Sequence, residues 1–142
     1  MTSDEIRAFL NAHVQAWTSE NVDALTRNYS DDCEITSPMF HTVRGKAALG
    51  ASLRDLFRGL RQWSVTIDDL IVDRDADAAV MLLKFQAVHA GEMFGFPATG
   101  RRVEVNAAHL YHFSDGVISS EKRLYDFSGL LMQLGVLKAK AG

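Results

Sequence analysis

The sequence has little cysteine, little proline and no long apolar run. Cys33 is its single cysteine, so an intrachain disulfide is impossible and no pair of thiolates exists for a structural zinc site. No apolar stretch approaches the roughly 18 residues of a membrane-spanning helix. The opening Met1-Thr2-Ser3-Asp4-Glu5 also lacks the basic start and apolar segment of a targeting signal. A cytoplasmic, reducing setting with no membrane partner is the expectation. Charge of one sign is missing too: 15 Lys and Arg against 18 Asp and Glu leave a formal charge of -3, with no block of like charge. Nucleic acid is therefore not an expected partner. The five histidines, His13, His41, His89, His109 and His112, show no His-x-x-x-His spacing, so no metal site is expected. No nucleophile elbow, phosphate-binding loop or dinucleotide fingerprint occurs, and no organic cofactor is indicated.

What is present is an ordinary globular composition. Apolar residues make up 47% and charged residues 23% of 142, enough to bury one core, and the length predicts a single domain over 1–142. Ile6, Phe9, Leu10, Val14 and Trp17 recur at helical spacing behind a Thr2/Glu5 capping box, which predicts a helix of about four turns. Asn21 is placed to cap a shorter helix with Val22, Leu25 and Tyr29 on one face, before Cys33 to Thr36 reads as a strand. Leu49, Leu53, Leu56, Phe57 and Leu60 predict a third helix over Lys46 to Leu60.

The period then changes from helical spacing to two. Trp63, Val65 and Ile67 alternate with polar residues, and strands follow over Ala78 to His89, Arg101 to Phe113 and Val117 to Asp126. Asp115-Gly116 makes the last hairpin turn, and a short helix closes the chain over Ser128 to Gln133. The expected order is ααβα followed by a four-strand meander. Helices segregated to one face of an antiparallel sheet define an α+β fold, and a long curved sheet wrapped by helices encloses a pocket.

Three segments carry a resemblance. The first runs His89-Ala90-Gly91-Glu92 and on through Gly95-Phe96-Pro97-Ala98-Thr99-Gly100-Arg101-Arg102. The second is the Asp115-Gly116 hairpin. The third is Tyr125-Asp126-Phe127 with Gly129-Leu130-Leu131 and Gln133-Leu134-Gly135. Together they resemble the SnoaL-like polyketide cyclase (ester cyclase) family, whose fold is the α+β cone of nuclear transport factor 2. That resemblance implies ring closure by intramolecular aldol condensation in the cone, with an aspartate on the last long strand as general acid and base. It also implies a homodimer. The position matching that aspartate is Arg123, which cannot accept a proton.

The remaining polar groups define the candidates. Period two puts Glu121 and Arg123 on one face of the last strand, either as a structural ion pair or as a catalytic pair with Glu121 as substitute base. His109 matches a pocket histidine of the family and shares its face with Val105, Ala107 and Tyr111, either as a proton carrier or as a packing residue. His89 either meets the substrate at the rim or anchors its loop. Asp126 either faces the pocket or caps the last helix. Trp17, Phe40, Leu53, Phe57 and Phe94 are the candidate apolar wall, with plain core as the alternative for Trp17 and Phe57.

The reading is a cofactor-independent enzyme that cyclises or rearranges a hydrophobic oxygenated small molecule. The alternatives are another enzyme on the same scaffold (a hydrolase, isomerase or hydroxylation component) or a non-catalytic ligand-binding or dimerisation module.

Overall fold

A computed structural model describes residues 1–138 and 140. The Thr2/Glu5 capping box starts α1 (Ser3–Thr18), with the Glu5 amide donating to Thr2 Oγ1 at 3.1 Å and the Thr2 amide to Glu5 Oε2 at 2.9 Å. The buried stripe of α1 is Ile6, Leu10, His13, Val14 and Trp17, which seats a histidine among apolar residues. Asn21 caps α2 (Val22–Thr26) through the Ala24 amide at 3.0 Å. Then come β1 (Tyr29–Ser37), β2 (His41–Arg44), α3 (Lys46–Gly59), β3 (Leu60–Asp73), β4 (Ala78–His89), β5 (Arg102–Ser114), β6 (Val117–Tyr125) and α4 (Phe127–Leu134).

One six-stranded sheet runs in the order β2-β1-β6-β5-β4-β3. The last four strands form the expected antiparallel meander, while β1 lies parallel to β6. The helices α1 and α3 pack across the sheet, which makes the fold a mixed α+β architecture with a curved sheet and N-terminal helices. Among the described residues no helix is long and apolar enough to cross a membrane.

Two expectations are corrected. Tyr29 is not on a helical face: α2 stops at Thr26, and the Asn28 carbonyl accepts from the Ile118 amide at 2.8 Å, which draws the chain into the sheet beside β6. The strand β2 was not expected at all. It is a four-residue edge segment with only Val43 partly buried, so it carries no alternation to read. Its partner is β1, from Glu34 opposite Arg44 to Ser37 opposite His41.

Two irregularities aim the interior side chains. A bulge where His112/Ser120 gives way to Phe113/Ile118 lets Ile118, Glu121 and Arg123 all point inward despite their odd spacing. The Asp115-Gly116 turn has φ of 52° and 78°, a left-handed pair that fits a two-residue hairpin, with glycine at the second position.

Candidate active site

The inner face of β5 and β6 carries the charged residues. Cross-strand pairing sets His109 opposite Arg123 and Tyr111 opposite Glu121, so four polar side chains form one square on the sheet. Glu121 is 2% exposed, Arg123 7% and His109 8%. Burial on this scale requires partners for each charge. Arg123 Nε donates to Glu121 Oε2 at 2.5 Å, and its guanidinium carbon lies 5.2 Å over the Trp17 ring. The other carboxylate oxygen, Oε1, accepts a short hydrogen bond from the Tyr29 hydroxyl.

The network continues outward through α1. Because a carboxylate only accepts, the Tyr29 proton points at Glu121, and its free lone pair receives Nε2–H of His13 at 3.3 Å. The His13 Nδ1 is then the acceptor for the Asn28 amide at 2.9 Å. On the other side, His109 Nδ1 lies 3.1 Å from the Tyr111 hydroxyl and 3.5 Å from Glu121 Oε2.

Electrostatics sort these groups into fixed roles. Burial pushes the Glu121 carboxyl up, but the Arg123 guanidinium and His109 outweigh it and hold the group at about 2. Burial lowers His109 to about 4 against the pull of Glu121, and it lowers His13 to about 4 as well. Both imidazoles are therefore neutral at pH 7. Burial would lower Arg123, yet the adjacent carboxylate raises it above its ordinary range, so it stays charged. The hydroxyls of Tyr29 and Tyr111 are raised well above 10 by burial and by Glu121.

One donor of this network is left over. Among the described residues Arg123 Nη2 is buried with no hydrogen-bond partner. Arg123 and His109 both border a narrow cavity of about 50 Å³, walled by Trp17, Met39, Phe40, Trp63, Phe85 and Tyr125 among others. An unpaired buried guanidinium donor costs free energy, so its place at a cavity wall marks it for an incoming acceptor.

Residues 7–134 match the family model of the SnoaL-like polyketide cyclases. The chain belongs to that family. Over 69 residues it is 33% identical to the aklanonic acid methyl ester cyclase AcmA of Streptomyces galilaeus, a match that covers 49% of this chain and 48% of that protein. The aligned part thus spans about half the length of that relative. Among solved structures, TsrD from Streptomyces laurentii superposes with a TM-score of 0.82 at 25% identity, covering 96% of this chain and 99% of the other. A Catenulispora acidiphila protein with a ketosteroid isomerase-like fold, solved with trimethylamine, gives 0.76 at 19% identity over 91% and 93% of the two chains.

Within this SnoaL-like chain the cavity gathers some of the expected wall and not the rest. Trp17 and Phe40 border it together with His109 and Arg123. Leu53 is instead fully buried core, and Phe57 sits behind the wall, edge-on to Trp17 at 5.4 Å and to Trp63 at 5.8 Å. Phe94 is an exposed rim residue edge-on to Phe127 at 5.7 Å. Asp126 points back to α4, where Oδ1 accepts the Gly129 amide at 2.9 Å. His89 is buried but turned toward its own loop: Nδ1 accepts the Thr99 hydroxyl at 2.9 Å and the Thr99 amide at 3.3 Å.

Sequence reasoning missed Asn28, His13, Tyr29 and Tyr111 as members of the polar network. His13 had a usable signal, since it sits in the Ile6, Leu10, Val14, Trp17 stripe where a polar residue requires a buried partner. Among the described residues no three His, Cys, Asp or Glu side chains cluster as a metal-ligand set.

Proposed function

We propose that this protein is a SnoaL-like small-molecule enzyme that closes or rearranges a ring in a hydrophobic carbonyl compound, with Arg123 and His109 as its catalytic residues. The observation that carries the reading is the unpartnered Arg123 Nη2 at the cavity wall beside a neutral His109. In this mechanism the substrate carbonyl oxygen accepts from Arg123 Nη2. His109, in the tautomer whose Nδ1–H donates to the Tyr111 hydroxyl, takes the proton next to that carbonyl on Nε2, and the electron pair moves onto the oxygen as an enolate held by Arg123. The enolate carbon then adds to a second carbonyl of the same molecule, and His109 returns its proton to the alkoxide so formed. The apolar wall keeps the chain folded for closure and excludes water.

Glu121 is a holder in this scheme. Both of its oxygens are engaged and its carboxyl is held at about 2, so it is a poor proton acceptor near neutrality. The test uses aklanonic acid methyl ester, the compound in the relative's name, followed by chromatography for ring closure. His109→Gln and Arg123→Met should each abolish turnover while the fold, read by circular dichroism, persists. Full turnover in His109→Gln would overturn the assignment.

A second reading has one observation behind it. The residue at the position of the family's aspartate is a guanidinium, which suits a module that binds a carbonyl ligand without turning it over. Ester binding with no turnover by the unaltered protein would favour it.

We further propose a cytoplasmic homodimer, supported by the lone cysteine and by an apolar outer sheet face. Leu82, Ala108 and Leu124 lie in one cross-strand row there, with Leu82 and Leu124 exposed. Light scattering on a sizing column reads the mass directly, and a monomer at micromolar concentration would exclude it.

A further inference from the structure

The inner cavity is small for the ligand proposed above. Its roughly 50 Å³ falls far short of the ~300 to 1,000 Å³ of ordinary small-molecule sites. Most of its wall cannot give way. Met81, Leu83 and Phe85 are paired in the β3–β4 ladder, Trp63 packs on Phe85 with its indole N–H on the Leu60 carbonyl, and Trp17 is wedged among Phe57, Trp63 and the Arg123 guanidinium.

Met39 and Phe40 differ from these. They belong to the three-residue connection between β1 and β2, and both also face an outer open cleft of about 600 Å³ with Arg58, Glu92 and Phe94 on its sides. The β1–β2 ladder ends at Ser37 opposite His41, so residues 38–40 can swing without breaking a strand pair. One hydrogen bond holds the turn: the Phe40 amide donates to Ser37 Oγ at 3.0 Å, and Ser37 itself borders the cavity.

We propose that the Pro38–Phe40 turn is a movable partition and that the substrate occupies the inner cavity and the outer cleft together. The substrate class follows from the two chambers. A flat oxygenated head lies against Trp17 with its carbonyl on Arg123, and a longer, more polar portion reaches past Phe40 to Arg58 and Glu92. The inference rests on the small-molecule reading above.

The test needs no turnover, because both tryptophans of the chain, Trp17 and Trp63, border the inner cavity. Acrylamide, a small neutral quencher, should reach them poorly in the native protein. Phe40→Ala should raise the collisional quenching constant several-fold, and Ser37→Ala, which removes the oxygen that accepts the Phe40 amide while leaving the Phe40 ring in place, should raise it as well. The neutral three-ring probe 1-aminoanthracene should then bind with energy transfer from the tryptophans, several-fold more weakly in Phe94→Ala, where only the exposed rim changes.

Quenching that is unchanged in both Phe40→Ala and Ser37→Ala overturns the partition while leaving the His109 and Arg123 chemistry intact. A probe affinity indifferent to Phe94→Ala, or no binding at all, overturns the two-chamber site. Failure of ester turnover in the earlier assay touches neither result.

Discussion

At the scale of single residues, the buried Glu121–Arg123 pair dominates. Taking both charges from water is costly, and each is tolerated because the other is there, with Tyr29 and Trp17 completing the surroundings. Removing one partner strands the other. Arg123→Met should therefore cost ~3 to 5 kcal/mol in urea unfolding, and the double change Glu121→Gln with Arg123→Met should recover most of that loss. A double variant whose loss equals the sum of the two single losses would show that the two side chains are energetically independent. This pair was legible as a pair: period two on the last strand puts both side chains on one face. What the sequence could not show was how it is used, because the saturation of Glu121 by Tyr29 depends on a contact across 92 residues of chain.

At the scale of elements, the long strands and helices were readable because each repeats one period over many residues. The failures lie where an element is short or interrupted. Besides β2, the start of β3 was hidden: Gln62 has φ of 57° and the ladder slips between Arg61 and Ser64, so the alternation becomes visible only from Trp63. The rim loop is an element of its own, clasped by His89 to Thr99 and pinned where the Ala90 and Gly91 amides both donate to the Gly59 carbonyl. Gly91 is required there, since a Cβ at that position would run into the backbone carbonyl of Arg58 at the end of α3. Gly91→Ala should cost ~1 to 3 kcal/mol of stability, as overpacking does, and should open residues 90–101 to limited proteolysis. An unchanged melting temperature and cleavage pattern would mean the loop is not pinned at that point.

At the scale of the whole molecule, the polar network links pH to stability. His13 and His109 are held near 4 in the folded protein against an ordinary value of 6.5. The unfolded chain therefore binds their protons first, and their contribution is complete above 6.5 and lost as pH falls toward 4. Glu121, held at about 2 against an ordinary 4.5, adds a second loss between 4.5 and 2. Each group is worth ~3 kcal/mol if its full shift is realised. Thermal unfolding followed from pH 7 to 3 should show a falling melting temperature that steepens below 6.5, and His13→Gln should flatten the upper part of that fall. A melting temperature constant down to pH 4 would contradict the neutral, buried state of both imidazoles.

The sequence by itself determined the α+β class, the meander and the shared face of Glu121 and Arg123 on the last strand, because these follow from local periodicity and turn chemistry. It also carried the family likeness in the segments from His89 to Gly135. Only the tertiary structure decided that β1 pairs parallel with β6, that His13 and Tyr29 close the polar network, and that Leu53, Phe57, His89 and Asp126 serve packing, loop and cap. The reason is physical: a period records which side of an element is buried, whereas the partner a buried polar group finds is set by chain segments that meet only after folding.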